Sequence, residues 1–230
     1  MKFSTVIQAR STSSRFPGKI FSNIGDKQAI FHVIDSCLDS NCDNVILAIP
    51  KSQKEEFAHV SERYIEDKKF TLCIGSEENV LERFYDGIVD LECEAVIRIT
   101  SDCFLINKGH INSSIEFFKD SNFDYINNST VTRVLSAIIP DDYQTDTDTP
   151  DGFNVEIFTK ASLLEAMEKA SDRYDIEHVT PWIKRNKKCS VFNTGKISLT
   201  GKFSVDTPGD LEIVKALHTL IENNRISFEV

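Results

Sequence analysis

The sequence contains no run that approaches the roughly 18 consecutive apolar residues of a membrane-spanning helix. Its first ten residues also lack a basic start followed by an apolar stretch, so no export signal is expected there. Basic residues are in deficit, because 26 Lys and Arg against 36 Asp and Glu give a formal net charge of −10. Nucleic acids and anionic membranes are bound by broad basic faces. We therefore expect neither as a partner, and any anionic ligand must be bound by a local cluster of cations.

The cysteine pattern also excludes a class of structure. The six cysteines form no Cys-x-x-Cys motif, and five of them lie in or beside apolar segments. This usage is typical of reduced thiols in a cytoplasmic protein. Apolar residues are sufficient for a core, since 40% of the chain is hydrophobic and 16 residues are Phe. The sequence therefore predicts a globular fold that needs neither disulfides nor a structural metal.

No internal repeat, low-complexity tract or linker divides the 230 residues. We expect one domain over residues 1–230, with a flap or loop insertion around residues 129–150. No Lys or Arg occurs between Arg133 and Lys160. The same stretch is rich in Thr and Pro and contains five aspartates: Asp141, Asp142, Asp146, Asp148 and Asp151. This composition predicts a solvated loop.

Short β-branched runs alternate with helical periodicity, which predicts an α/β domain with a largely parallel sheet. In the first half, the expected strands are residues 3–7, 45–49, 70–74, 95–100 and 123–127. In the second half, strands are expected at residues 153–158, 189–192 and 203–205, and helices at residues 161–170, 176–185 and 208–223.

The strongest local signal is the loop that follows the first strand, from Gln8 to Lys19. Residues 1–25 contain four basic side chains and no acidic one. Three cations, small hydroxyl residues and a glycine thus leave the carboxyl end of a strand, where open α/β sheets bind their ligands. Arg can bind two phosphate oxygens and Lys one, so the composition suits a triphosphate. The loop is not a Walker motif, because Ile20 follows Lys19 and Ser13 replaces the first glycine. An ordinary solvated turn is the alternative.

Two aspartates follow later strands. Asp102 lies just past an expected strand end, where a turn or helix-capping role is the alternative. Around the second one, Thr207 is a good N-cap, Pro208 a good first helical residue, and Asp210 completes a capping box. Asp206 then has no capping role and is the better candidate ligand. Two carboxylates at neighbouring strand ends could bind Mg²⁺ together with phosphate oxygens and water.

Six segments, taken in order, resemble one enzyme family. They are QAR (8–10) with PGK (17–19), GSEENVLERF (75–84), RITSDC (98–103), PDGFNVE (150–156), EHVTP (177–181) and VDTP (205–208). The chain is similar over essentially its whole length to the spore-coat polysaccharide F-type cytidylyltransferases. These are relatives of the CMP-Kdo and CMP-sialic acid synthetases. The resemblance implies a Rossmann-like, nucleotide-diphospho-sugar transferase (GT-A-like) fold with a mixed, mostly parallel central sheet.

The resemblance also implies a reaction, in which CMP is transferred from CTP to an acceptor and pyrophosphate is released. The acceptor would be a sugar or sugar acid for surface polysaccharide, and relatives suggest a homodimer. Catalysis would use Arg10, Arg15, Lys19, Asp102 and Asp206, with Mg²⁺ on the two aspartates. The nucleotide would contact these cations and also Gln8, Ala9, Ser13, Ala48, Pro50, Gly75, Ser76, Asn79, Arg83, Ser101 and Asp102. The acceptor would meet Asp151, Gly152, Asn154, Glu156, Glu177 and His178.

Some positions depart from the family pattern, and some have simpler explanations. Thr12 stands where the family usually has Gly, and Phe104 where Pro is usual. Arg83 could instead form a helix-surface ion pair, and His178 could be a packed or capping histidine. Two other functions remain open from the residues. One is a glycosyltransferase of similar fold that consumes a nucleotide-sugar, and the other is a nucleotide-binding protein without catalysis.

Overall fold

The computed structural model describes residues 1–128, 149–192 and 201–225. The expected insertion at residues 129–150 therefore lies, apart from its last two residues, outside the described part. The strands are β1 (Phe3–Gln8), β2 (Asn23–Ile24), β3 (Lys27–Gln28), β4 (Asn44–Pro50), β5 (Phe70–Gly75), β6 (Ala95–Thr100), β7 (Tyr125–Asn127), β8 (Glu156–Thr159) and β9 (Cys189–Val191). The helices are α1 (Ala29–Leu38), α2 (Ala58–Tyr64), α3 (Val80–Ile88), α4 (Lys108–Asp120), α5 (Lys160–Lys169), α6 (Arg173–His178), α7 (Pro181–Asn186) and α8 (Pro208–Glu222). Two 3₁₀ turns cover Lys19–Phe21 and Lys51–Gln53.

The central sheet of the described residues has seven strands in the order β5-β4-β1-β6-β8-β7-β9. β5, β4, β1 and β6 are parallel, while β8 runs antiparallel to both β6 and β7. β7 and β9 are again parallel. The expected α/β class with a mixed, mostly parallel sheet is confirmed.

Alternation along each strand divides the core between the two faces of the sheet. On β1, Ile7 packs with the helices α1, α2, α4 and α8 on one face. Val6 packs with α3, α5 and α7 on the other. Strands buried on both faces need apolar residues at successive positions, and β4 meets this need with six buried residues in succession. The parallel strands thus end at one edge, where loops can form a site.

The structure differs from the sequence prediction at two places. The expected helix at 176–185 is two short helices, because Val179 adopts a φ of 69° and Pro181 begins α7. A proline lacks the N–H that would continue the helix. The expected strand at 203–205 is absent from the described residues; one isolated bridge joins Asp151 and Lys202, and Phe203 N donates to Asp151 O at 2.7 Å. Apolar alternation in this segment reflects burial of Phe203 and Val205.

The apparent strand starts also shift. β7 begins at Tyr125 and β8 at Glu156, so the first residues of both expected strands lie outside the ladder. No helix in the described residues combines the length and the apolar character needed to cross a bilayer.

Candidate active site

A cleft of about 700 Å³ opens at the carboxyl ends of β1 and β6. It gathers most of the residues singled out in the sequence. Those that line it are Gln8, Arg10, Ser13, Arg15, Lys19, Ser76, Asn79, Arg83, Ser101, Asp102, Glu177, His178 and Asp206. Segments that are up to about 200 positions apart in sequence therefore share one cavity, as the parallel strand ends require.

The loop after β1 is closed by its own backbone. Ala9 N donates to Ala48 O at 3.1 Å as the loop leaves the sheet, and Gly18 N donates to Ser11 O at 2.8 Å as it returns. The next residue, Lys19, begins a 3₁₀ turn and is nearly buried, whereas the Arg15 side chain is 64% exposed. The loop thus presents one buried cation, Lys19, and two exposed ones, Arg10 and Arg15, to the cleft.

Lys19 joins the two aspartates. Its Nζ lies 3.0 Å from Asp102 Oδ2 and 3.4 Å from Asp206 Oδ1, and it also donates to the Val205 carbonyl. Carboxylates from β6 and from the start of α8 therefore converge on one ammonium group. The function predicted from the sequence depends on this convergence more than on any other contact.

Asp206 is surrounded by positive charge. Arg15 Nη2 lies 2.8 Å from its Oδ1, and Lys202 Nζ lies 2.6 Å from its Oδ2. Burial opposes ionisation of Asp206, but the Lys202 hydrogen bond and the charges of Lys19, Lys202 and Arg15 hold the pKa of its carboxyl below the usual value. The carboxylate is therefore ionised and available to a cation at neutral pH.

The neighbouring Asp210 has a separate structural role. Thr207 Oγ1 accepts from Asp210 N, and Asp210 Oδ2 accepts from Thr207 N, so the predicted capping box at the start of α8 is confirmed. Asp210 also accepts from Asp206 N at 2.9 Å. The cap fixes the Asp206 backbone while leaving its side chain free to face Lys19.

On the opposite wall, Arg83 is buried with no carboxylate within ion-pair distance in the described residues. It is 2% exposed, and its Nη1 donates to Ser76 O at 2.6 Å and Glu77 O at 3.3 Å. Its Nε has no hydrogen-bond partner in the part of the chain that the structure describes. Burial lowers the pKa of this guanidinium. The surface ion pair considered for Arg83 is therefore wrong, because the side chain points into the protein and borders the cleft.

Gly75 and Asn79 shape this wall. A Cβ at Gly75, the last residue of β5, would lie 2.9 Å from Arg83 Cγ, so a larger residue would displace the guanidinium. Asn79 caps α3, since its Oδ1 accepts from Glu82 N at 2.8 Å. These two residues place Arg83 one turn into the helix and against the strand end.

The whole-chain pattern identifies the family. A model of the cytidylyltransferase family matches residues 5–220. The chain belongs to the cytidylyltransferase family. The expected family and enzyme class, a CTP-dependent cytidylyltransferase, are confirmed by this match.

Two relatives illustrate the similarity of this cytidylyltransferase in sequence. The spore coat polysaccharide biosynthesis protein SpsF of Bacillus subtilis is 24% identical over 227 residues, covering 93% of this chain and 85% of SpsF. The uncharacterized protein MJ1063 of Methanocaldococcus jannaschii is 28% identical over 186 residues, covering 81% of this chain and 68% of MJ1063.

Solved structures share the fold. A cytidylyltransferase from Leptospira borgpetersenii has a TM-score of 0.78 at 18% identity, with all of both chains covered. A CMP:2-keto-3-deoxy-manno-octonic acid synthetase complexed with CTP has a TM-score of 0.68 at 16% identity, covering 96% of this chain and 100% of that one. Rv0371C of Mycobacterium tuberculosis in complex with manganese scores 0.62 at 9% identity, covering 94% of this chain and 99% of that one. At these identities the likeness establishes the fold.

Several predicted contact residues frame the cytidylyltransferase cleft without lining it. Ala9, Ala48, Pro50 and Gly75 lie at the ends of β1, β4 and β5. Their contribution in the described structure is made through the backbone, as with the Ala9 to Ala48 hydrogen bond.

Four predicted acceptor residues do not line the cleft formed by the described residues, so their contact with the acceptor stays a prediction. Asp151 accepts from Ser204 Oγ and from Asn154 Nδ2. Gly152 has a φ of 104°, and a Cβ there would lie 2.5 Å from the Phe203 backbone. Only glycine fits such a conformation and approach, so this segment joins two parts of the chain.

The fourth, Glu156, is deeply embedded. Its carboxylate pairs with Arg98 and Lys184 and accepts from Tyr125 Oη and Thr180 Oγ1. Burial opposes ionisation, yet Lys184 and Arg98 hold the pKa of Glu156 far below its usual value. With its oxygens occupied, Glu156 connects β6, β8 and α7 and has no oxygen facing the cleft lining.

Other cleft residues were not anticipated. Ser14, Glu77, Glu78 and Thr100 lie inside or beside segments already recognised, so position alone could have indicated them. Ile176 begins the expected helix 176–185 and adjoins the EHVTP segment, whereas Ser171 and Arg173, which line the same part of the cleft, carried no local sequence signal. Lys202 does not line the cleft but pairs with Asp206, and its position four residues before Asp206 could have indicated this contact.

Proposed function

We propose that this cytidylyltransferase binds CTP with Mg²⁺ in the cleft and transfers CMP to an oxygen of a sugar or sugar acid. The single observation that carries the proposal is the meeting of Asp102 and Asp206 around Lys19 Nζ, beside the cations of the loop after β1. An acceptor hydroxyl would attack the α-phosphorus in line, its proton passing to water. The bond from α-phosphorus to the bridging oxygen would break, and pyrophosphate would leave.

Arg10, Arg15 and Lys19 would bind the triphosphate. The Arg15 side chain is largely solvated and pairs with Asp206. A triphosphate entering the cleft would compete for this guanidinium. Fixed cations aimed at the leaving group stabilise the charge that grows there, without reorganisation at the moment of reaction.

The donor set fits Mg²⁺. Among the described residues no group of three or more ligating side chains occurs, but two carboxylates converge, and Mg²⁺ commonly takes one or two with phosphate oxygens and water. In the described structure the Lys19 ammonium lies between these two carboxylates, which indicates that the position attracts a cation. Asp102 and Asp206 would hold the ion. When bound, Mg²⁺ would supply Lewis-acid stabilisation of the transferred phosphoryl group.

Arg83 is the best candidate for a contact on the base and ribose side. A buried guanidinium costs stability when, as among the described residues, its Nε has no partner and no carboxylate lies within ion-pair distance. A ligand oxygen at the cleft would satisfy it. Ser76 and Asn79 line the same wall and could supply further polar contacts.

The acceptor would lie against α6. Glu177 and His178 line this part of the cleft together with Arg173, and the His178 ring packs at an interplanar angle of 57° against Tyr174, with the ring centroids 4.4 Å apart. A sugar offers hydroxyls to the carboxylate and imidazole, and a sugar acid offers a carboxylate to Arg173. The name of SpsF, a spore coat polysaccharide biosynthesis protein, supports a surface-polysaccharide precursor as the acceptor.

The test is pyrophosphate release measured with each of the four nucleoside triphosphates against a panel of sugars and sugar acids. We expect CTP to be used in preference to the others, only with a divalent cation and an acceptor present. Equal rates with all four nucleotides, or release from a nucleotide-sugar instead, would contradict the proposal.

Two further parts of the proposal concern the cell. A homodimer, tested by light scattering after gel filtration, is expected from the family resemblance. A reducing compartment such as the cytoplasm is supported by the six free thiols.

A further inference from the structure

The 3₁₀ turn Lys51–Gln53 follows β4 and is hydrogen-bonded to the loop after β1. Gln53 is 4% exposed, and its side-chain amide makes two hydrogen bonds to that loop. Its Oε1 accepts from Ser11 N at 2.7 Å, and its Nε2 donates to Thr12 Oγ1 at 2.9 Å. Because one bond needs the carbonyl and the other the amine, the amide orientation is fixed.

The same turn is also hydrogen-bonded to the opposite wall of the cleft, through Glu77. Ser52 N and Ser52 Oγ donate to the two oxygens of Glu77, at 2.6 and 2.8 Å. These two hydrogen bonds, the backbone one first, lower the pKa of the Glu77 carboxyl. The carbonyls of Ser76 and Glu77 in turn accept from Arg83. The turn is thus connected through Glu77 to the wall that contains the buried guanidinium.

We propose that the turn Lys51–Gln53 is a positioning clamp that sets the spacing between the phosphate side and the base side of the nucleotide site. Gln53 positions the loop that carries Arg10, Ser13 and Arg15, and Ser52 positions the segment that carries Arg83. Gln53, Ser52 and Thr12 do not line the cleft, so they act through other residues. The inference rests on the proposed function, because it assigns each wall a part of the nucleotide.

The Thr12 hydroxyl explains how the clamp orders the loop after β1. Where the family pattern has Gly, this chain has a hydroxyl, and that hydroxyl is the acceptor for the Gln53 amine. A loop ordered before the ligand arrives avoids the entropy cost of ordering it on binding. Groups that bind phosphate must be held to within about 0.5 Å of their working positions. The hydrogen-bond pair at Gln53 and Thr12 supplies that order on the phosphate side.

The experiment is calorimetric binding of three probes with Mg²⁺: pyrophosphate, CMP and CTP. For Gln53→Ala we expect the affinity for pyrophosphate and for CTP to fall by about tenfold or more. A tenfold loss is the low end of the effect seen when a residue that supports a ligand-binding group is removed. The affinity for CMP should change by less than about twofold. For Ser52→Ala the reverse is expected, with weaker CMP and CTP and unchanged pyrophosphate. Ser114→Ala, which loses a buried hydroxyl bond to His110 O elsewhere, is the control and should alter none of the three.

Thr12→Val keeps the test decisive if Gln53→Ala fails to fold, because Thr12 is exposed and its loss removes one of the two hydrogen bonds that Gln53 makes to the loop. The double variant should lose less affinity than the sum of the single losses, since both single variants remove the bond between Gln53 and Thr12. Equal losses for all three probes, or no loss in a folded Gln53 or Thr12 variant, would overturn the clamp while leaving the proposed function intact. A wild-type protein that binds none of the probes would overturn both.

Discussion

Asp206 and Asp210 lie four residues apart at the start of α8 and have different tasks. Asp210 completes the capping box, while Asp206 faces three cations. Removing Asp206 should therefore affect catalysis far more than removing Asp210. This contrast separates a ligand role from a structural one at nearly the same place in the chain.

For Asp206→Ala we expect turnover to fall by about 100- to 1,000-fold, as when one preorganised electrostatic contact is lost. Pyrophosphate release from CTP with Mg²⁺ and acceptor measures it. The control is Asp210→Asn, which should retain most activity and lose about 1 kcal/mol of stability through its weakened cap. Comparable activity in the two variants would contradict the assignment of Asp206.

Arg83 should show a trade-off between stability and binding. Replacing the buried, unpaired guanidinium by Met removes a desolvated charge and keeps a long side chain. We expect Arg83→Met to melt at the same or a higher temperature than the wild type, but to lose most of its CTP affinity. Thermal denaturation with and without CTP reports both quantities. A variant that is less stable yet binds CTP normally would assign Arg83 a purely structural role.

At the scale of elements, Glu156 on β8 connects secondary structures. It binds Arg98 of β6, Lys184 of α7 and Tyr125 of β7, and Thr180 at the break between α6 and α7. Arg98, which pairs with Glu156, also contacts the cleft, because its Nη2 donates to Gln8 Oε1 at 3.1 Å. The wall of the cleft formed by α6 therefore depends on a buried ionic cluster for its place on the sheet.

For Glu156→Gln we expect a loss of about 3–5 kcal/mol in the free energy of unfolding, because two buried cations lose their counter-charge. The pH dependence has a defined sign. The folded-state pKa of Glu156 lies below its usual value of 4.5. Its stabilising contribution is therefore fully present well above pH 4.5, begins to decline as the pH falls through that value, and is lost completely only below the folded-state pKa.

Urea denaturation at pH 7 and at pH 4 measures this effect. The difference in unfolding free energy between wild type and Glu156→Gln should be larger at pH 7 than at pH 4. Glu92→Gln is a matched control, because this exposed carboxylate pairs only with Lys2 in the described residues and should show little change at either pH. An equal difference at both pH values would contradict an ionised Glu156.

At the scale of the whole molecule, the cleft joins β1, β5, β6, α3, α6 and the start of α8. A ligand that contacts all of these should stabilise the fold as a unit. By mass action, nucleotide at 100 times its dissociation constant adds about 2.7 kcal/mol. We expect CTP to raise the melting temperature with Mg²⁺, and much less after chelation by EDTA.

The comparison with Asp102→Asn identifies the cause of that difference. This variant keeps the shape of the side chain but loses one charge, so the melting-temperature gain from Mg²⁺ should shrink while any metal-free gain remains. A gain that is identical with and without Mg²⁺ in the wild type would contradict metal-assisted nucleotide binding.

Local patterns in the sequence determined much of this protein. Strand and helix periodicity predicted the α/β class and β1, β4, β5 and β6 to within a residue or two, because inward-facing residues must be apolar wherever they pack. The capping box at Thr207 was also readable, since its hydrogen bonds join residues three apart. The six ordered motifs indicated the family for the same reason, as each is a short contiguous segment.

Only the tertiary structure decided how distant side chains pair. It brought Asp102 and Asp206 together on Lys19, removed Glu156 from the cleft lining into a buried cluster, and broke the predicted helix at Val179. It also joined Gln53 to Thr12 across 41 positions. A sequence pattern records whether a side chain is buried, but not which other side chain it meets, because that depends on how the strands are ordered in the sheet.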